Sequence, residues 1–211
     1  MTLVAFDFDG TLSDSEMTVL LGERAGVAAE VADITQRAMN DELSYAESLR
    51  ERAALLQGLP ADAVRAAFEE VVLRPGTADV LSALAAAGTT TAILTGGFEE
   101  GVERALERAG VTVDVIVANR LPMVDGALDG SVEGTLVEGT KDEALERVAA
   151  EAGVDPDEAI GVGDGANDIP LLDRAGTAIG FRPKPAVEPH CDLVVESMDE
   201  LRAVLADAGA L

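Results

Sequence analysis

The sequence contains few cysteine, histidine, lysine or aromatic residues. With one cysteine, Cys191, and one histidine, His190, it offers neither an internal disulfide nor the ligands of an ordinary zinc site. No apolar run reaches the roughly 18 residues needed to cross a bilayer, and the first residues lack the basic region, apolar segment and cleavage site of a secretory signal. We therefore expect a cytoplasmic protein with no membrane partner.

Positive charge is also scarce. There are 15 basic and 40 acidic residues, which give a formal net charge of -25 and a pI near 4.1. This charge argues against nucleic acids and anionic membranes as partners. The acidic residues are spread along the chain, and the only lysines are Lys141 and Lys184. The composition resembles the surfaces of halophilic proteins, from cells that hold molar salt, where screening weakens self-repulsion; a merely acidic protein is the alternative.

The length of 211 residues fits one domain of ordinary size or a core domain that carries an insertion. Short apolar runs alternate with helical patterns, which is typical of a parallel sheet covered by helices. The predicted strands are residues 3–8, 91–94, 113–117, 159–162, 177–179 and 193–195. The predicted helices are residues 77–87, 98–109, 141–152 and 198–208, each followed by a glycine. The predicted fold class is α/β, with a doubly wound parallel sheet.

Residues 15–74 interrupt this alternation, because their pattern is helical throughout and contains no strand candidate. We predict a small helical cap domain at 15–74, inserted after the first strand into a core formed by residues 1–14 and 75–211. The segment Arg74-Pro75-Gly76 marks the return to the core. Residues 120–134 contain Asp-Gly pairs at 125–126 and 129–130, which predict a β-hairpin.

Two aspartates lie at the end of the first predicted strand, in the segment Asp7-Phe8-Asp9-Gly10-Thr11. Side chains two residues apart share one face of a strand, so Asp7 and Asp9 can reach the same site. Charges beside a buried strand are costly unless they are paired or bound to a metal. We interpret the pair as chemical rather than structural, with metal binding and acid–base catalysis both open.

Two further segments suit a phosphate or another oxyanion. At residues 94–97 a predicted strand stops at Thr95 before two glycines and a helix. The Thr95 hydroxyl and the backbone amides can bind an anion there, or Thr95 can simply cap the helix. Lys141 opens another predicted helix, where the macrodipole disfavours a cation. A negative group should compensate this lysine, unless it lies on the surface and pairs with Asp142 or Glu143.

A fourth polar segment, residues 161–168, follows a predicted strand with glycines, Asp164, Asn167 and Asp168. Sites in an open parallel sheet form at the carboxyl ends of the strands, so the four segments should meet there. Magnesium takes hard oxygen ligands such as carboxylates, together with water and phosphate oxygens. A glycine-rich turn with capping aspartates is the structural alternative for this segment taken alone.

In their order along the chain, the four segments resemble the four motifs of the haloacid dehalogenase-like (HAD) superfamily of phosphatases. Residues 94–98 (Leu-Thr-Gly-Gly-Phe), 118–121 (Ala-Asn-Arg-Leu) and 163–168 (Gly-Asp-Gly-Ala-Asn-Asp) look like the phosphoserine phosphatase family within it. The resemblance covers nearly the whole chain. It implies a Rossmann-like HAD core with a cap over the active site, and Mg²⁺ as cofactor.

The resemblance also implies a role for each core residue. Asp7 is then the nucleophile that forms an aspartyl-phosphate, and Asp9 protonates the leaving group before it activates water. The implied metal ligands are the Asp7 side chain, the Asp9 main-chain carbonyl and Asp164, with Asp168 in support. The implied phosphoryl-binding groups are Thr95, Gly96, Lys141 and Asn167.

In the cap, the resemblance implies residues that select the substrate. Glu16 meets the substrate amino group, and Arg52 binds its carboxylate with the fork of the guanidinium; a solvated helix face is the alternative for both. Met39 and Tyr45 match an apolar wall. The chain departs from the family pattern where Gly10 and Thr95 replace a common serine and Tyr45 replaces a common phenylalanine.

We therefore expect an enzyme that hydrolyses O-phospho-L-serine in serine biosynthesis, acting on this small phosphomonoester as a monomer or homodimer. One alternative is a related phosphatase acting on phosphoglycolate or a sugar phosphate, or a transferase with homoserine as acceptor. A haloalkanoic dehalogenase would not need Asp9 or the carboxylate cluster. An inactive phosphate-binding regulatory module is disfavoured, because every chemical position is filled.

Overall fold

The computed structural model describes residues 2–40 and 42–211, without the side chain of Met39. The strands are β1 Leu3–Phe6, β2 Thr90–Phe98, β3 Val115–Asn119, β4 Met123–Val124, β5 Ala127–Leu128, β6 Ile160–Gly163, β7 Thr177–Phe181 and β8 Leu193–Val195. The helices are α1 Met17–Ala25, α2 Ala28–Met39, α3 Tyr45–Leu55, α4 Ala61–Phe68, α5 Thr77–Ala87, α6 Glu99–Ala109, α7 Thr135–Glu138, α8 Lys141–Ala152, α9 Ile169–Arg174 and α10 Met198–Asp207. Among the helices of the described residues, none has the length and apolar character needed to span a membrane.

A six-stranded parallel sheet forms the centre of the protein, in the order β3-β2-β1-β6-β7-β8. In the central strand β1, Ala5 pairs with Ala92 of β2 and with Gly161 of β6. The chain passes from β1 to β2 and β3 on one side, and later returns to β6, β7 and β8 on the other. This reversal beside β1 opens a crevice at the carboxyl ends of the strands. The predicted doubly wound α/β fold is confirmed.

Both faces of the sheet are covered, which explains why its strands read as continuous apolar runs. Val4 and Phe6 of β1 belong to one core cluster, which includes residues of α5, α6 and α10. Leu3 and Ala5 belong to a second cluster, which includes residues of α8 and α9. All four side chains are fully buried, as alternation along a strand between two helical layers requires.

Helices α1 to α4 occupy the segment between β1 and α5, as the helical pattern of residues 15–74 indicates. We call these residues the helical insert; its status as a separate cap domain stays a prediction. Met17, Leu49 and Phe68 of the insert belong to the same apolar cluster as Phe98 and Val102 of the core. The rings of Phe68 and Phe98 have centroids 6.2 Å apart. The insert is therefore packed directly onto the end of β2 and onto α6.

Strands β4 and β5 form the antiparallel hairpin expected between residues 120 and 134. Its two-residue turn is Asp125-Gly126, with positive φ values of 53° and 81° as a type I′ turn requires. The second Asp-Gly pair, at 129–130, lies after β5 and does not form a turn of this hairpin. The hairpin also contacts the insert, because the Gly58 N–H donates to the Leu128 carbonyl at 2.8 Å.

Two predicted strand ends are wrong. Strand β1 ends at Phe6, so the turn that follows it, rather than strand alternation, brings Asp7 and Asp9 together. Strand β2 does not stop at Thr95 but continues to Phe98, and its pairing with β3 shifts register between Leu94 and Phe98. Thr95 and Gly96 therefore lie in the irregular end of a strand, and helix α6 begins only at Glu99.

Candidate active site

Side chains from the strand ends and from the insert line one cavity of about 140 Å³, which we call the inner cavity. Its size suits a small molecule, since pockets for drug-sized ligands begin near about 300 Å³. Nine of the twelve predicted site residues line it: Asp7, Asp9, Glu16, Tyr45, Arg52, Thr95, Gly96, Asp164 and Asn167. Lys141 and Asp168 lie beside it in contact with each other, and the side chain of Met39 is outside the described part of the chain.

Lys141 joins two carboxylates at this site. It begins α8, its side chain is 4% exposed, and its ammonium contacts Asp7 Oδ1 and, at 2.5 Å, Asp168 Oδ1. These carboxylates supply the negative charge that a lysine at a helix N-terminus requires. The alternative of a surface lysine is therefore wrong. Because buried ion pairs are weakly screened, the contact with Lys141 restrains the side chain of Asp7, and the contact with Asp168 restrains Lys141 in turn.

Asp7, Asp164 and Asp168 form a buried cluster in which one carboxylate oxygen of each residue lies within 4.8 Å of one from each of the other two. When ionised, the three carboxylates carry -3, and the ammonium groups of Lys141 and of Lys184, which lies 3.3 Å from Asp164, add +2, so a net negative charge remains. Burial and the charge of Asp168 raise the pKa of Asp7 to about 8, although Lys141 opposes the shift. A divalent cation would balance the remaining charge, and carboxylate oxygens are its ordinary ligands. The donor set thus fits a divalent metal.

Asp168 also shapes the loop that carries Asp164. Its Oδ2 accepts hydrogen bonds from the backbone N–H groups of Asp164, at 3.0 Å, and Gly165, at 2.8 Å. On the other side, the Thr11 hydroxyl donates to Asp164 Oδ1 at 3.2 Å. The glycine-rich turn is therefore held by an aspartate that also belongs to the acidic cluster, so the structural and chemical interpretations of this segment both apply.

Asp9 lies at the border between the core and the insert. Its Oδ2 accepts a hydrogen bond at 3.3 Å from the N–H of Met17, the first residue of α1. Its Oδ1 is buried and has no hydrogen-bond partner among the described residues. Burial, and then the charges of Glu16 and Asp7, raise the pKa of Asp9 well above the usual value for an aspartate. A carboxyl group that keeps its proton in this way can donate it, which suits a general acid.

The loop after β1 is held by Arg74, whose guanidinium donates to the carbonyl oxygens of Gly10 at 2.8 Å and Thr11 at 3.1 Å. Gly10 has a φ of 90°, and a Cβ atom there would lie 2.6 Å from Asp164 Oδ1. Glycine therefore allows this loop to approach Asp164. The sequence interpretation used Arg74 only as a boundary marker, because nothing near it in sequence reveals a contact 63 residues away.

The end of β2 presents Thr95 and Gly96 to the inner cavity. The buried Thr95 hydroxyl accepts a hydrogen bond from the Gly97 N–H at 3.0 Å. From the neighbouring strand β3, Asn119 Nδ2 donates to the Gly96 carbonyl at 3.0 Å and so fixes the glycine segment. Hydroxyl and amide groups held in this way are suited to stabilise an oxyanion. Asn119 belongs to the segment 118–121, to which the sequence interpretation gave no site role.

The insert contributes one acidic and one basic side chain to the inner cavity. Glu16 precedes α1, and burial raises the pKa of its carboxyl group, although Lys184 lowers it. Arg52 is half-buried on α3, and its guanidinium donates to the Ser48 carbonyl and to the Thr18 hydroxyl, both at 3.2 Å. Opposite charges in one small cavity suit a ligand that carries both an ammonium and a carboxylate.

Lys184, which the sequence interpretation did not select, lines the inner cavity as well. Its Nζ lies 3.3 Å from Asp164 Oδ2, and its backbone N–H donates to the Asp164 carbonyl at 2.9 Å. Its side chain is 55% exposed, in contrast to the buried Lys141. The scarcity of lysine was the available signal, because both lysines of the chain lie at this site.

A second cavity, of about 360 Å³, lies beside the first, and we call it the outer cavity. Lys141 lines it, together with residues of α7 and the start of α3. Tyr45, Gly96 and Asn167 line both cavities and so mark the place where they meet.

Known proteins resemble this chain over its full length. Residues 4–173 match the family described as haloacid dehalogenase-like hydrolase. A phosphoserine phosphatase from Halobacterium salinarum is 57% identical over 209 residues, which cover 99% of this chain and 99% of the relative. A phosphoserine phosphatase from Methanocaldococcus jannaschii is 38% identical over 204 residues, which cover 96% of this chain and 95% of the relative.

Solved structures show the same relationship. A substrate-bound phosphoserine phosphatase complex has a TM-score of 0.88 and 36% identity, with 97% of each chain covered. A phospho-aspartyl intermediate analogue of phosphoserine phosphatase has a TM-score of 0.87 and 37% identity, again with 97% of each chain covered. The family predicted from the four motifs is confirmed: the chain belongs to the haloacid dehalogenase-like hydrolases and, within them, to the phosphoserine phosphatase family.

Proposed function

We propose that this protein is a Mg²⁺-dependent phosphatase that hydrolyses O-phospho-L-serine to L-serine and phosphate. One observation carries the proposal: two sets of groups meet in the inner cavity. The carboxyl groups of Asp7 and Asp9 suit phosphoryl transfer, and the charges of Glu16 and Arg52 suit a substrate with an ammonium and a carboxylate. The names of the relatives and solved structures described above support the same substrate.

In the first step, a carboxylate oxygen of Asp7 attacks the phosphorus atom, and the bond between phosphorus and the serine oxygen breaks. Asp9 gives its proton to that oxygen, so serine leaves as a neutral alcohol. The raised pKa of Asp9 supports this role, because the group holds its proton to a higher pH than an ordinary aspartate. The contact with Lys141 keeps Asp7 oriented for the attack.

In the second step, the ionised Asp9 accepts a proton from water, whose oxygen attacks the phosphorus of the aspartyl-phosphate. The bond between phosphorus and Asp7 breaks, phosphate leaves, and both residues return to their starting states. One residue serves both steps because the second reverses the proton transfer of the first. Among the described residues, Oδ1 of Asp9 has no hydrogen-bond partner, so it is free to exchange a proton with the leaving group or with water.

Four core groups would bind the phosphoryl oxygens: Thr95, Gly96, Lys141 and Asn167. They combine a hydroxyl, a backbone amide, an ammonium and a side-chain amide: Gly96 and Asn167 line both cavities, Thr95 lines the inner one and Lys141 the outer one. Phosphoryl transfer depends mainly on positioning and on electrostatic stabilisation of this kind. In a protein with a net charge of -25, the ammonium of Lys141 would reduce the repulsion between the acidic cluster and a phosphate dianion.

Asp7, the Asp9 carbonyl and Asp164 would hold Mg²⁺, with Asp168 orienting the loop that carries Asp164. The net negative charge left on the acidic cluster supports this assignment. Bound there, the cation would neutralise negative charge on the phosphoryl group.

Calorimetric titration should show Mg²⁺ binding that Asp164→Asn weakens by at least about tenfold. Asp33→Asn, on the exposed face of α2, should leave it unchanged; equal affinities in all three proteins would contradict the assignment.

The test of the substrate is a comparison of kcat/KM for O-phospho-L-serine, phosphoglycolate and a sugar phosphate. Phosphoserine should be preferred by about 100-fold, because it alone offers partners to both Glu16 and Arg52. A higher kcat/KM for either competitor would overturn the proposed substrate. Added homoserine should not capture phosphoryl groups; its phosphorylation would show a transferase.

We further propose that residues 15–74 act as a cap on the core, and that the enzyme supplies serine in the cytoplasm of a salt-rich cell. The net charge of -25 supports the salt-rich surroundings. The biosynthetic role is tested by complementation of a strain without phosphoserine phosphatase, in a host of matched internal salt. Growth without serine is expected from the wild type and not from Asp7→Asn; growth with neither would contradict the role.

A further inference from the structure

We propose that the Tyr45 hydroxyl donates a hydrogen bond to the phosphoryl group of the bound substrate. Tyr45 is then a phosphoryl-binding residue that the insert supplies, in addition to the apolar surface expected of its ring. This inference rests on the phosphatase function proposed above and adds a donor to its phosphoryl site.

The start of α3 fixes the backbone of Tyr45. Ser44 caps this helix, because its Oγ accepts a hydrogen bond from the Glu47 N–H at 3.2 Å. In return, Glu47 Oε2 accepts a hydrogen bond from the Ser44 N–H at 2.9 Å. This capping box satisfies two backbone donors. Tyr45, the first residue of the helix, is therefore held at a defined position beside the cavities.

Tyr45 lies where the phosphoryl group of the substrate is expected to bind. It shares with Gly96 and Asn167 the property of lining both the inner and the outer cavity. Asp7 lines the inner cavity, and Lys141 lines the outer one. A phosphoryl group that reaches the nucleophile Asp7 and the cation Lys141 must therefore occupy the junction, where Tyr45 forms one wall.

The polar end of Tyr45 is directed to this junction. A Cβ atom added at Gly96 would overlap the Tyr45 hydroxyl oxygen and lie 2.9 Å from Cζ, so only glycine leaves room for the ring to come this close. The residue as a whole is 39% exposed, yet its oxygen contacts the backbone of a proposed phosphoryl-binding residue. An apolar wall would need the ring, but it would not need the hydroxyl at this place.

The hydroxyl is available as a donor. Burial raises the pKa of Tyr45 above its usual value; the nearby cations Lys141 and Arg52 oppose the shift, and Asp7 and Asp9 reinforce it. The group therefore stays protonated at neutral pH and has one O–H to donate. A charged phosphoryl oxygen is a stronger acceptor than water, so the bond gains strength when substrate binds.

Tyr45→Phe removes the oxygen and keeps the ring, and therefore separates the hydroxyl from the apolar wall. Inorganic phosphate and L-serine, each used as a competitive inhibitor of phosphoserine hydrolysis, report on the two halves of the site. We expect Tyr45→Phe to raise the Ki of phosphate about tenfold and to leave the Ki of L-serine unchanged. An unchanged phosphate Ki would overturn the proposal, and so would an effect confined to L-serine.

Thr18→Val is the matched control, because it deletes another hydroxyl of the inner cavity. Thr18 accepts its hydrogen bond from Arg52 and not from the phosphoryl side of the site. This variant should weaken L-serine binding and leave the Ki of phosphate unchanged. An equal rise in the phosphate Ki of both variants would show a general loss of cavity structure and would contradict a specific role for Tyr45.

Tyr45 also reports its own surroundings, since the chain contains one tyrosine and no tryptophan. Inorganic phosphate titrated into the wild type should change the tyrosine emission, with a midpoint equal to its Ki; no change at saturation would contradict the proposal. Calorimetric phosphate binding to the wild type and Tyr45→Phe needs no turnover. If phosphoserine is not hydrolysed but phosphate binding depends on the hydroxyl, the substrate proposal fails and the Tyr45 proposal stands. If phosphoserine is hydrolysed but the wild type and Tyr45→Phe bind phosphate equally well, the Tyr45 proposal fails and the substrate proposal stands.

Discussion

The strand-end edge of the sheet and the helical insert line one cavity, but they hold their polar groups differently. At the edge, Asp7, Lys141 and Asp168 are 3%, 4% and 0% exposed and contact one another. In the insert, Tyr45 is 39% exposed and Arg52 is half-buried. Buried paired charges keep one geometry and lose much stability when one partner is removed, whereas half-exposed groups lose less. This difference supports the proposed division, in which the edge performs the chemistry and the insert selects the substrate and, through Tyr45, adds a donor to the phosphoryl site.

The largest expected effect comes from breaking the edge at its nucleophile. Asp7→Asn replaces the nucleophilic carboxylate with a neutral amide, whose oxygen is a poor nucleophile, so kcat should fall by at least about 10⁴-fold. The far-ultraviolet circular dichroism spectrum should stay unchanged, because the amide keeps the size of the carboxylate. Asp33→Asn, exposed on α2, serves as the control with normal kcat. Hydrolysis at the wild-type rate by Asp7→Asn would exclude the proposed mechanism.

The two lysines, both at the strand-end edge, test the effect of burial within that region. Lys141→Met leaves the buried carboxylates of Asp7 and Asp168 without their shared cation, so the free energy of unfolding should fall by about 3 kcal/mol. Lys184→Met removes a half-exposed lysine and should cost less than about 1 kcal/mol. Urea unfolding of both variants without added metal measures the difference. Equal losses would mean that burial of the lysine does not determine how much its ion pairs contribute at the edge.

The pH dependence of substrate binding tests the role of Glu16 in the insert. Glu16 must be ionised to bind the substrate ammonium, and burial raises its pKa. As pH falls through this raised pKa, the carboxylate is lost at a higher pH than in an ordinary glutamate. We compare the KM for phosphoserine with the KM for its deamino analogue, 3-phosphonooxypropionate. Below the pKa of Glu16, the ratio of the first KM to the second should rise about tenfold for each unit by which the pH falls. The ratio cancels titration of the phosphate, and Glu16→Gln should make it independent of pH; a wild-type ratio without this rise would contradict the role of Glu16.

Salt should produce the smallest of these effects, and it should act on the approach of the substrate to the cavity. With a net charge of -25, the protein repels a phosphate dianion at low ionic strength. Raising KCl from about 0.1 to about 2 M shortens the Debye length below about 3 Å and should raise kcat/KM several-fold, together with the melting temperature. An uncharged osmolyte serves as control. Full activity and stability in dilute buffer would contradict the halophilic interpretation.

The sequence predicts the fold well because burial on both faces of the sheet leaves a pattern that can be read locally. The apolar runs of β1, β6 and β7 and the helical pattern of the insert each indicate their element without knowledge of the partner. The four chemical segments could be recognised for a related reason: each lies at a strand end, and an open parallel sheet brings such ends together.

Features that depend on distant partners could not be predicted. The end of β2 is set by its pairing with Asn119 of β3, so the chain near Thr95 gives no sign that the strand continues to Phe98. Arg74 donates a hydrogen bond to the loop after β1, and Lys184 forms an ion pair with Asp164. Both contacts depend on loops that pack against each other and are distant in sequence. The direction of the Tyr45 hydroxyl follows from the packing of the insert, which the sequence pattern does not define.

One measurement tests most directly whether the edge performs chemistry and the insert selects. The values of kcat/KM for O-phospho-L-serine and for phosphoethanolamine, which lacks the carboxylate, are compared in the wild type and in Arg52→Ala. We expect a loss of about 100-fold for phosphoserine, because its carboxylate loses its partner, and a change of less than about twofold for phosphoethanolamine. An equal loss for both substrates would contradict it, because Arg52 would then serve the chemistry itself.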